Sequence, residues 1–368
     1  MHTRALWTGR AGPDDDPALR RLLRETPMEG AVSIAFAREP SFFHAAAVEG
    51  HTDTVVAREP DGRVVGMFCR SVRSAWVDGA PRRLPYLSAL RIDPKYRLRP
   101  GLLRRGFDEV RKLADADPDA LPWSITTIVS DNAPARRLLE ANLRGFPRYT
   151  PQEELITFAA PTWRERYRPV PGVEVRAARP DDLGDLVELL ARWGREHQYG
   201  PVWDAATLAD PLRCRGLSVE DFTLAARGGR LVGAVARWDQ QGFKQSVVCG
   251  YTGPLRWARR GVNALAPWLG VPRLPEPGAE LRHAYLSHLA VADHDPAVAR
   301  AVLGAAHDSA RPRRYDTLTW MLAARHPLAP VCRAAFRPME YRSMLYVAAW
   351  DPVDRPSDRI AGLEVAVM

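Results

Sequence analysis

The stretch Tyr86-Leu87-Ser88-Ala89-Leu90-Arg91-Ile92 returns in the second half of the chain as Tyr285-Leu286-Ser287-His288-Leu289-Ala290-Val291. Two further pairs of similar segments keep the same order, residues 10–15 with 176–182 and residues 61–67 with 228–234. The repeated unit is much longer than the repeats of solenoid proteins, which span about 20–50 residues. We therefore infer that a whole domain has been duplicated.

The duplication predicts two units with an organisation of strands alternating with helices. The first unit is expected at residues 1–160 and the second at 173–368, joined by a proline- and arginine-rich linker at 161–172. The second unit carries an extra segment, residues 252–280, before its central strand. A chain of 368 residues has the length expected of two such domains.

Composition indicates a globular protein with a basic surface. The chain is 46% hydrophobic and 26% charged and has a net charge of +8, with three lysines among its 52 basic residues. This charge favours anionic partners, but its dispersal along the chain argues against nucleic acid. The four cysteines form no C-x-x-C pair, and no signal peptide or transmembrane run is recognisable. We therefore expect a cytoplasmic protein.

A particular order of motifs follows the first copy of the repeated stretch. An arginine-bearing loop and a predicted helix come first, then a buried strand, then Asn132-Ala133-Pro134-Ala135 and Gly145-Phe146. This order resembles the GCN5-related N-acetyltransferases (GNAT family) in a tandem arrangement, and more sharply in the first half. The resemblance implies an α/β fold of two tandem GNAT-like domains, each a mixed, mostly antiparallel sheet flanked by helices, packed as an internal pseudo-dimer in a monomer.

The resemblance also implies a reaction. It is transfer of an acyl group from acetyl-CoA, or another acyl-CoA, to an amine of a small molecule or peptide. A helix N-terminus can bind the pyrophosphate of CoA, because it offers free N–H groups and a positive dipole end. In the family pattern Arg/Gln-x-x-Gly-x-Gly/Ala, Arg97 matches, whereas Pro100 and Leu102 replace small residues. The residues implied as CoA contacts are Leu90, Arg91, Ile92, Arg97, Leu98, Arg99, Gly101, Leu102 and Asn132.

The catalytic groups are less clearly marked. Leu139 stands where the family usually has a tyrosine as general acid. Tyr86 and Ser88 share one face of the central strand by period-2 geometry, and Tyr149 is a further candidate. The loop matching Arg97 in the second copy contains Asp293 and Asp295, which would repel a pyrophosphate, so one CoA per chain is expected in the first half.

Polar residues near the extra segment are candidates for binding the acceptor substrate. They are Asp239, Gln240 and Lys244. Residues 255–269 have helical periodicity, with Leu255, Val262 and Leu265 on one stripe, and could form a membrane-surface helix, a lid or a cap on the second core. No metal is expected, because His283 and His288 point to opposite sides of a strand.

Two other functions remain open from the sequence. One is a non-catalytic binding protein built on decayed GNAT domains, suggested by Leu139, Pro100 and Leu102. The other is a transferase that uses aminoacyl-tRNA or an acyl carrier protein as donor, suggested by the basic charge. Binding of CoA separates the enzyme from the second alternative, and thiol release separates it from the first.

Overall fold

The computed structural model describes residues 6–97, 99–163, 165–269, 273–313, 315–354 and 357–368. The strands in these residues are β1 (Trp7–Arg10), β2 (Val32–Ala37), β3 (His51–Arg58), β4 (Val64–Val77), β5 (Ala80–Ile92), β6 (Ser124–Val129), β7 (Arg148–Pro161), β8 (Glu174–Ala177), β9 (Phe222–Arg227), β10 (Arg230–Trp238), β11 (Gln245–Tyr251), β12 (His283–Val291), β13 (Thr317–Ala323) and β14 (Met339–Ala349). The α-helices are α1 (Asp16–Glu25), α2 (Phe42–Glu49), α3 (Pro100–Asp115), α4 (Ala133–Leu139), α5 (Leu183–Glu196), α6 (Ala205–Ala209), α7 (Gly253–Leu269), α8 (Pro296–Asp308) and α9 (Ala329–Phe336).

Twelve strands form one continuous sheet in the order β1-β3-β4-β5-β6-β14-β7-β13-β12-β10-β9-β8. Most neighbours are antiparallel, whereas β5 pairs with β6, and β12 with β13, in parallel. These two parallel pairs occupy matching places in the two halves. The predicted fold class, mixed and mostly antiparallel sheet flanked by helices, is confirmed.

The two halves exchange their last strands. Strand β7 is the last strand of the first half, but it lies between β14 and β13 of the second half. Strand β14 of the second half correspondingly pairs with β6 of the first, with Tyr346 opposite Thr126. Both last strands have similar apolar patterns, so the sequence does not specify which half each one joins. Each half therefore depends on the other to complete its sheet.

A second, two-stranded sheet also joins the halves. Strand β2 pairs antiparallel with β11, and Ala37 lies opposite Gln245. The side chain of Gln245 reinforces the pair, because its Oε1 accepts from the backbone N–H of Glu39 at 2.9 Å and its Nε2 donates to the Glu39 carbonyl at 3.0 Å. This small sheet brings residues of the extra segment's flank close to the first half.

Amphipathic helices cover both faces of the large sheet. Helix α3 buries Leu103, Phe107 and Val110 against a core that also contains Phe68 and Tyr346. Helix α8 buries its apolar residues in the largest core of the second half. Helix α3 thus forms directly after the arginine-bearing loop, as predicted, and α4 is a short helix that ends at Leu139. No helix in the described ranges is long and apolar enough to cross a membrane.

Candidate active site

The site begins with an opening between β5 and β6. The two strands pair at Tyr86 and Ile125, and beyond this point β5 diverges. Its backbone is distorted at Ala89, which has φ 51°, and the register with β4 shifts between Met67 and Cys69. A positive φ is unfavourable for alanine, and such strain is found preferentially at functional sites. Backbone pairing with β6 therefore stops before the bulge, and the opening beyond that point is called the gap below.

A buried carboxylate lies at one side of this gap. Glu49 is the last residue of α2, and its Oε2 accepts a hydrogen bond from Ser88 Oγ at 2.9 Å. Gly50 follows with φ 140°, and a Cβ there would lie 2.5 Å from the Val72 carbonyl oxygen, so only glycine lets α2 end against β4. The pair combines a proton acceptor with a hydroxyl on the predicted catalytic strand.

Glu49 was missed by the sequence analysis. It stands at the end of an apolar run, Phe42-Phe43-His44-Ala45-Ala46-Ala47-Val48, and is followed by glycine. An isolated acid at the end of a mostly apolar helix indicates a functional residue. Burying a carboxylate costs free energy unless the group is paired or hydrogen-bonded. Glu49 lies outside the motifs that carry the family resemblance.

Tyr86 lies at the narrow end of the opening, where the strands still pair. Its hydroxyl is 3.1 Å from Thr127 Oγ1 on β6, and its ring lies 5.5 Å from the guanidinium carbon of Arg73. Burial raises the pKa of Tyr86 to about 12, so the phenol keeps its proton near neutral pH. It can therefore donate a hydrogen bond to an anion formed at this end of the gap.

Cationic side chains from both halves converge near Glu49. The β2–β11 pairing places Arg38 beside Lys244, which is buried and donates from Nζ to the Ala366 and Met368 carbonyl oxygens, at 3.2 Å each. Burial lowers the pKa of Lys244 to about 7, with Glu49 acting in the opposite direction. Arg73 donates to the backbone carbonyl of Glu49 at 3.3 Å. The carboxylate thus faces a strongly positive environment.

The three residues predicted to bind the acceptor lie in two different places in the structure. Gln240 Nε2 donates to the Ala366 carbonyl at 3.0 Å, the same atom that Lys244 contacts, so these two side chains lie together. Asp239 is exposed, and its Oδ2 accepts from the hydroxyl of Tyr315 at 2.8 Å. Asp239 therefore lies at the surface, apart from the buried pair of Gln240 and Lys244.

The arginine-bearing loop precedes α3, as the sequence indicated. Arg97 and Arg99 are exposed, and the guanidinium of Arg99 lies 4.9 Å from the ring of Tyr96. Gly101 is exposed, and a Cβ on it would contact nothing within 4 Å, so the helix start is open to solvent. The predicted contact Leu98 lies outside the described residues. This arrangement leaves the first turn of α3 accessible to an anion.

The side chain of Leu102 is buried. It packs against Ala57 and Val65, and the N–H of Leu102 donates to the Arg99 carbonyl at 2.9 Å. The side chain therefore anchors α3 to the sheet. Its N–H is already used, so it is not a donor for a phosphate.

The other predicted CoA contacts lie along the opening. Leu90 and Ile92 are half-buried and pack against the core under α3. Burial lowers the pKa of Arg91 to about 10, and its Nη1 donates to the Leu90 carbonyl at 3.0 Å. Asn132 is exposed and caps α4, because its Oδ1 accepts from the N–H of Ala135 at 3.2 Å. All four surround the gap or the helix beside it.

Tyr149 lies in the aromatic core. Its ring centroid is 6.4 Å from that of Phe107 and 6.2 Å from that of Tyr346. Burial raises the pKa of its hydroxyl well above the usual value. These neighbours give Tyr149 a packing role under α3, on a different side of the sheet from the Glu49–Ser88 pair.

The corresponding opening in the second half is a small cavity with a different lining. His288 has φ 54° at the place of Ala89, so the bulge is repeated, but Trp193, His197 and His326 line the space between β12 and β13. Residues 361–364 also line it. At the start of α8, Asp295 accepts from the N–H groups of Ala297 and Val298 at 2.8 and 3.4 Å. A carboxylate thus occupies the anion-binding position of this copy.

Three histidines in that space form a cluster that the sequence analysis did not group. His294, His197 and His326 have ring nitrogens within 4.8 Å of one another. His326 Nδ1 accepts from the N–H of Leu328 at 3.0 Å, so the proton of the neutral ring is on Nε2, which lies 3.2 Å from His197 Nε2. The two neutral rings therefore share one hydrogen bond, which His326 Nε2 donates and His197 Nε2 accepts. Because His326 Nε2 carries the proton, this atom has no free lone pair to bind a metal.

Comparison with known proteins supports this description of the fold. No protein-family model matches the chain, and no curated protein matches its sequence. Solved structures do match over almost its whole length. The chain has the GNAT fold in tandem. A GCN5-related N-acetyltransferase from Sphaerobacter thermophilus covers 96% of this chain over 99% of its own length, with a TM-score of 0.58 and 13% identity.

Two further structures show the same GNAT arrangement. N-myristoyltransferase of Saccharomyces cerevisiae with bound myristoyl-CoA covers 99% of this chain over 90% of its own, with a TM-score of 0.62 and 11% identity. A GCN5-related N-acetyltransferase from Anabaena variabilis covers 93% over 72%, with a TM-score of 0.51 and 9% identity. These similarities confirm the resemblance noted in the sequence at the level of the fold.

Proposed function

We propose that this protein transfers an acyl group from an acyl-CoA to a primary amine, in the opening between β5 and β6 of its first half. The observation that carries the proposal is the Glu49–Ser88 hydrogen bond at the bulge of β5. It places a proton acceptor beside a gap whose other end leads to the open start of α3 and to Arg97. Structures with the same fold include one with a bound acyl-CoA.

The first chemical step is removal of a proton from the amine. An amine reaches the site as an ammonium ion and must lose a proton before its lone pair can attack the thioester carbonyl. Glu49 is the group that would take this proton, directly or through the hydroxyl of Ser88. The positive charge of Arg38 nearby favours the neutral form of the amine.

The second step forms the C–N bond and breaks the C–S bond. The electron pair of the broken bond stays on sulfur, and the departing thiolate needs a hydrogen-bond donor. Tyr86 supplies this donor, because its high pKa keeps the phenol protonated at the narrow end of the gap. The usual tyrosine acid of the family is replaced by Leu139, which is buried in the core under α3. Tyr86 therefore takes a stabilising role and need not transfer its proton.

The donor would be held along β5 and at the start of α3. Arg97, Arg99 and the region of Gly101 would bind the pyrophosphate, and the backbone of Leu90 and Ile92 would align the pantetheine arm. The thioester of the donor supplies the activated acyl group. Acetyl-CoA is our first choice of donor, and longer acyl-CoA molecules are the next. The acceptor would approach from the side of Lys244 and Gln240.

Titration calorimetry with acetyl-, octanoyl- and myristoyl-CoA tests the donor, and a thiol-release assay with a panel of amines tests the transfer. We expect one molecule of acyl-CoA per chain and amine-dependent thiol release. Absence of binding for all three donors would overturn the proposal. Binding of a donor with no thiol release for any amine would instead identify a non-catalytic binding protein.

A further inference from the structure

Helix α7 presents large apolar side chains to solvent. Trp257 and Trp268 are 81% and 88% exposed, and Leu265 is 56% exposed. Tryptophan buries more area than almost any other side chain, so leaving two of them in water on one helix is unfavourable. Such a patch indicates a surface that has a partner.

The exposed residues share one face of the helix. Successive residues of an α-helix turn by about 100°, so Trp257, Ala264 and Trp268 lie within about 40° of one another. The two tryptophans are separated by about 16 Å along the axis. Ala266, on the opposite face, is buried. The patch is therefore a coherent stripe three turns long.

The helix is held in this orientation by polar contacts behind it. The side chain of Asn263 makes two hydrogen bonds to the backbone of Leu274. Its Nδ2 donates to the carbonyl at 2.9 Å, and its Oδ1 accepts from the N–H at 2.7 Å. Arg259 donates to the Pro275 carbonyl at 3.3 Å. The sequence predicted Leu255, Val262 and Leu265 on one stripe. In the structure Leu255 and Val262 lie on the inward face, whereas Leu265 is exposed. These contacts oppose any rotation that would bury the indoles.

The charge beside the stripe identifies the partner's chemistry. Arg256 and Arg260 are exposed along one edge of the stripe, and residues 253–269 contain no acidic residue. A basic edge beside an apolar face with tryptophans is typical of helices that lie in the interface of an anionic membrane. A symmetric dimer through this face would bring Arg256 and Arg260 of one copy near those of the other, which is unfavourable.

We propose that α7 docks this protein on an anionic lipid surface. Trp257, Leu265 and Trp268 would enter the headgroup region, and Arg256 and Arg260 would pair with lipid phosphates. The helix directly follows β11, whose pairing with β2 places Arg38 and Lys244 beside Glu49. Docking would therefore hold the opening between β5 and β6 near the membrane. This inference does not depend on the acyl transfer proposed above.

Vesicle co-sedimentation tests the proposal with the full chain. Vesicles of phosphatidylcholine alone are compared with vesicles that also contain phosphatidylglycerol, at low and at high salt. We expect binding to the anionic vesicles that weakens as salt rises. The double variant Trp257→Gln/Trp268→Gln should lose at least about tenfold in partitioning, since burial of each indole is removed. The pair Arg256→Gln/Arg260→Gln should remove the preference for anionic lipid.

Trp7→Gln is the matched control, because Trp7 is 55% exposed on β1, outside α7. It should bind vesicles as the unmodified chain does. Circular dichroism of each variant checks that the fold is retained. The proposal is overturned if folded protein does not bind anionic vesicles, or if Trp7→Gln weakens binding as much as the α7 pair. It is also overturned if the α7 pair leaves vesicle binding intact and only converts a dimer to a monomer in sedimentation velocity.

Discussion

Ser88 donates a hydrogen bond of 2.9 Å to Glu49, although the two residues are 39 positions apart and belong to a strand and a helix. Ser71 on β4 is a second hydroxyl near the same oxygen, at 3.4 Å. Glu49 is buried, so its carboxylate relies on these hydroxyls for hydrogen bonds. The carboxylate is therefore fixed at the point where β5 leaves β6, which is the position required of a base in the proposed reaction.

Replacement of this base should abolish most of the activity. We expect Glu49→Gln to lower kcat by about 100-fold or more, the usual contribution of general base catalysis, while acyl-CoA affinity stays nearly unchanged. The glutamine keeps the shape of the side chain and can still accept from Ser88. Steady-state kinetics of thiol release and calorimetry of donor binding measure the two quantities.

Glu109→Gln is a suitable control, because Glu109 lies on the outer side of α3 and pairs with Lys112. It should leave kcat within about twofold. If Glu49→Gln retained full kcat, Glu49 would have a structural role, and the base would have to be sought elsewhere.

The two halves should differ in their affinity for acyl-CoA. Arg97→Ala should weaken binding by about tenfold, the effect of one lost charge-assisted contact. Asp295→Ala in the second half should leave the affinity unchanged, because this carboxylate caps α8 and occupies the position that an anion would take. Calorimetry gives both the affinity and the stoichiometry, and two bound molecules per chain would contradict this asymmetry.

The repeated motif carried most of the information about the fold. It predicted the duplicated α/β units, the central strands β5 and β12, and helices α3 and α8. It did not predict the exchange of β7 and β14, because either strand satisfies the same pattern of apolar residues. The sequence also did not predict the pairing of β2 with β11. This pairing depends on contacts between residues about 200 positions apart, such as Gln245 with Glu39.

The candidate site was predicted less completely than the fold. The sequence placed Tyr86, Ser88 and Arg97 correctly on the central strand and its loop, because strand periodicity and the motif specify them. It could not supply Glu49, whose importance arises from tertiary packing of α2 against β4. Tyr149 was chosen for its chemistry, but its burial beside Phe107 places it in the core.

The paired histidines of the second half should make stability dependent on pH. Burial lowers the pKa of His197 to about 4 and that of His326 to about 3, whereas an unfolded histidine titrates near 6.5. Above pH 6.5 both rings are neutral in both states, so stability is at its full value. As pH falls below 6.5, the unfolded chain binds protons that the folded chain excludes, and the free energy of unfolding decreases.

Urea denaturation at a series of pH values from about 7.5 to about 4.5 measures this decrease. The variant His197→Gln/His326→Gln should show a shallower slope below pH 6.5, whatever its absolute stability. His51→Gln, on an exposed position, should keep the original slope. An unchanged slope in the double variant would show that other groups cause the acid sensitivity.

The bulge of β5 should tolerate glycine and reject a branched residue. Ala89 has φ 51°, a conformation that glycine adopts without strain and that β-branched residues avoid. We expect Ala89→Gly to change stability by less than about 1 kcal/mol and to retain acyl-CoA binding. Ala89→Val should destabilise the fold by about 1–3 kcal/mol or flatten the bulge and lower acyl-CoA affinity. Equal behaviour of the two variants in urea denaturation and calorimetry would show that the bulge does not shape the site.

The exchange of strands should make neither half stable alone. Residues 1–160 expressed separately would lack β14, which pairs with both β6 and β7, and would expose those strand edges. We expect this fragment and residues 161–368 to aggregate or remain unfolded separately and to form a folded complex when they are produced together. Circular dichroism and size-exclusion chromatography of the fragments and of the mixture measure this. A cooperatively folded, monomeric 1–160 fragment would show that β7 can return to its own half and that the exchange is not required for folding.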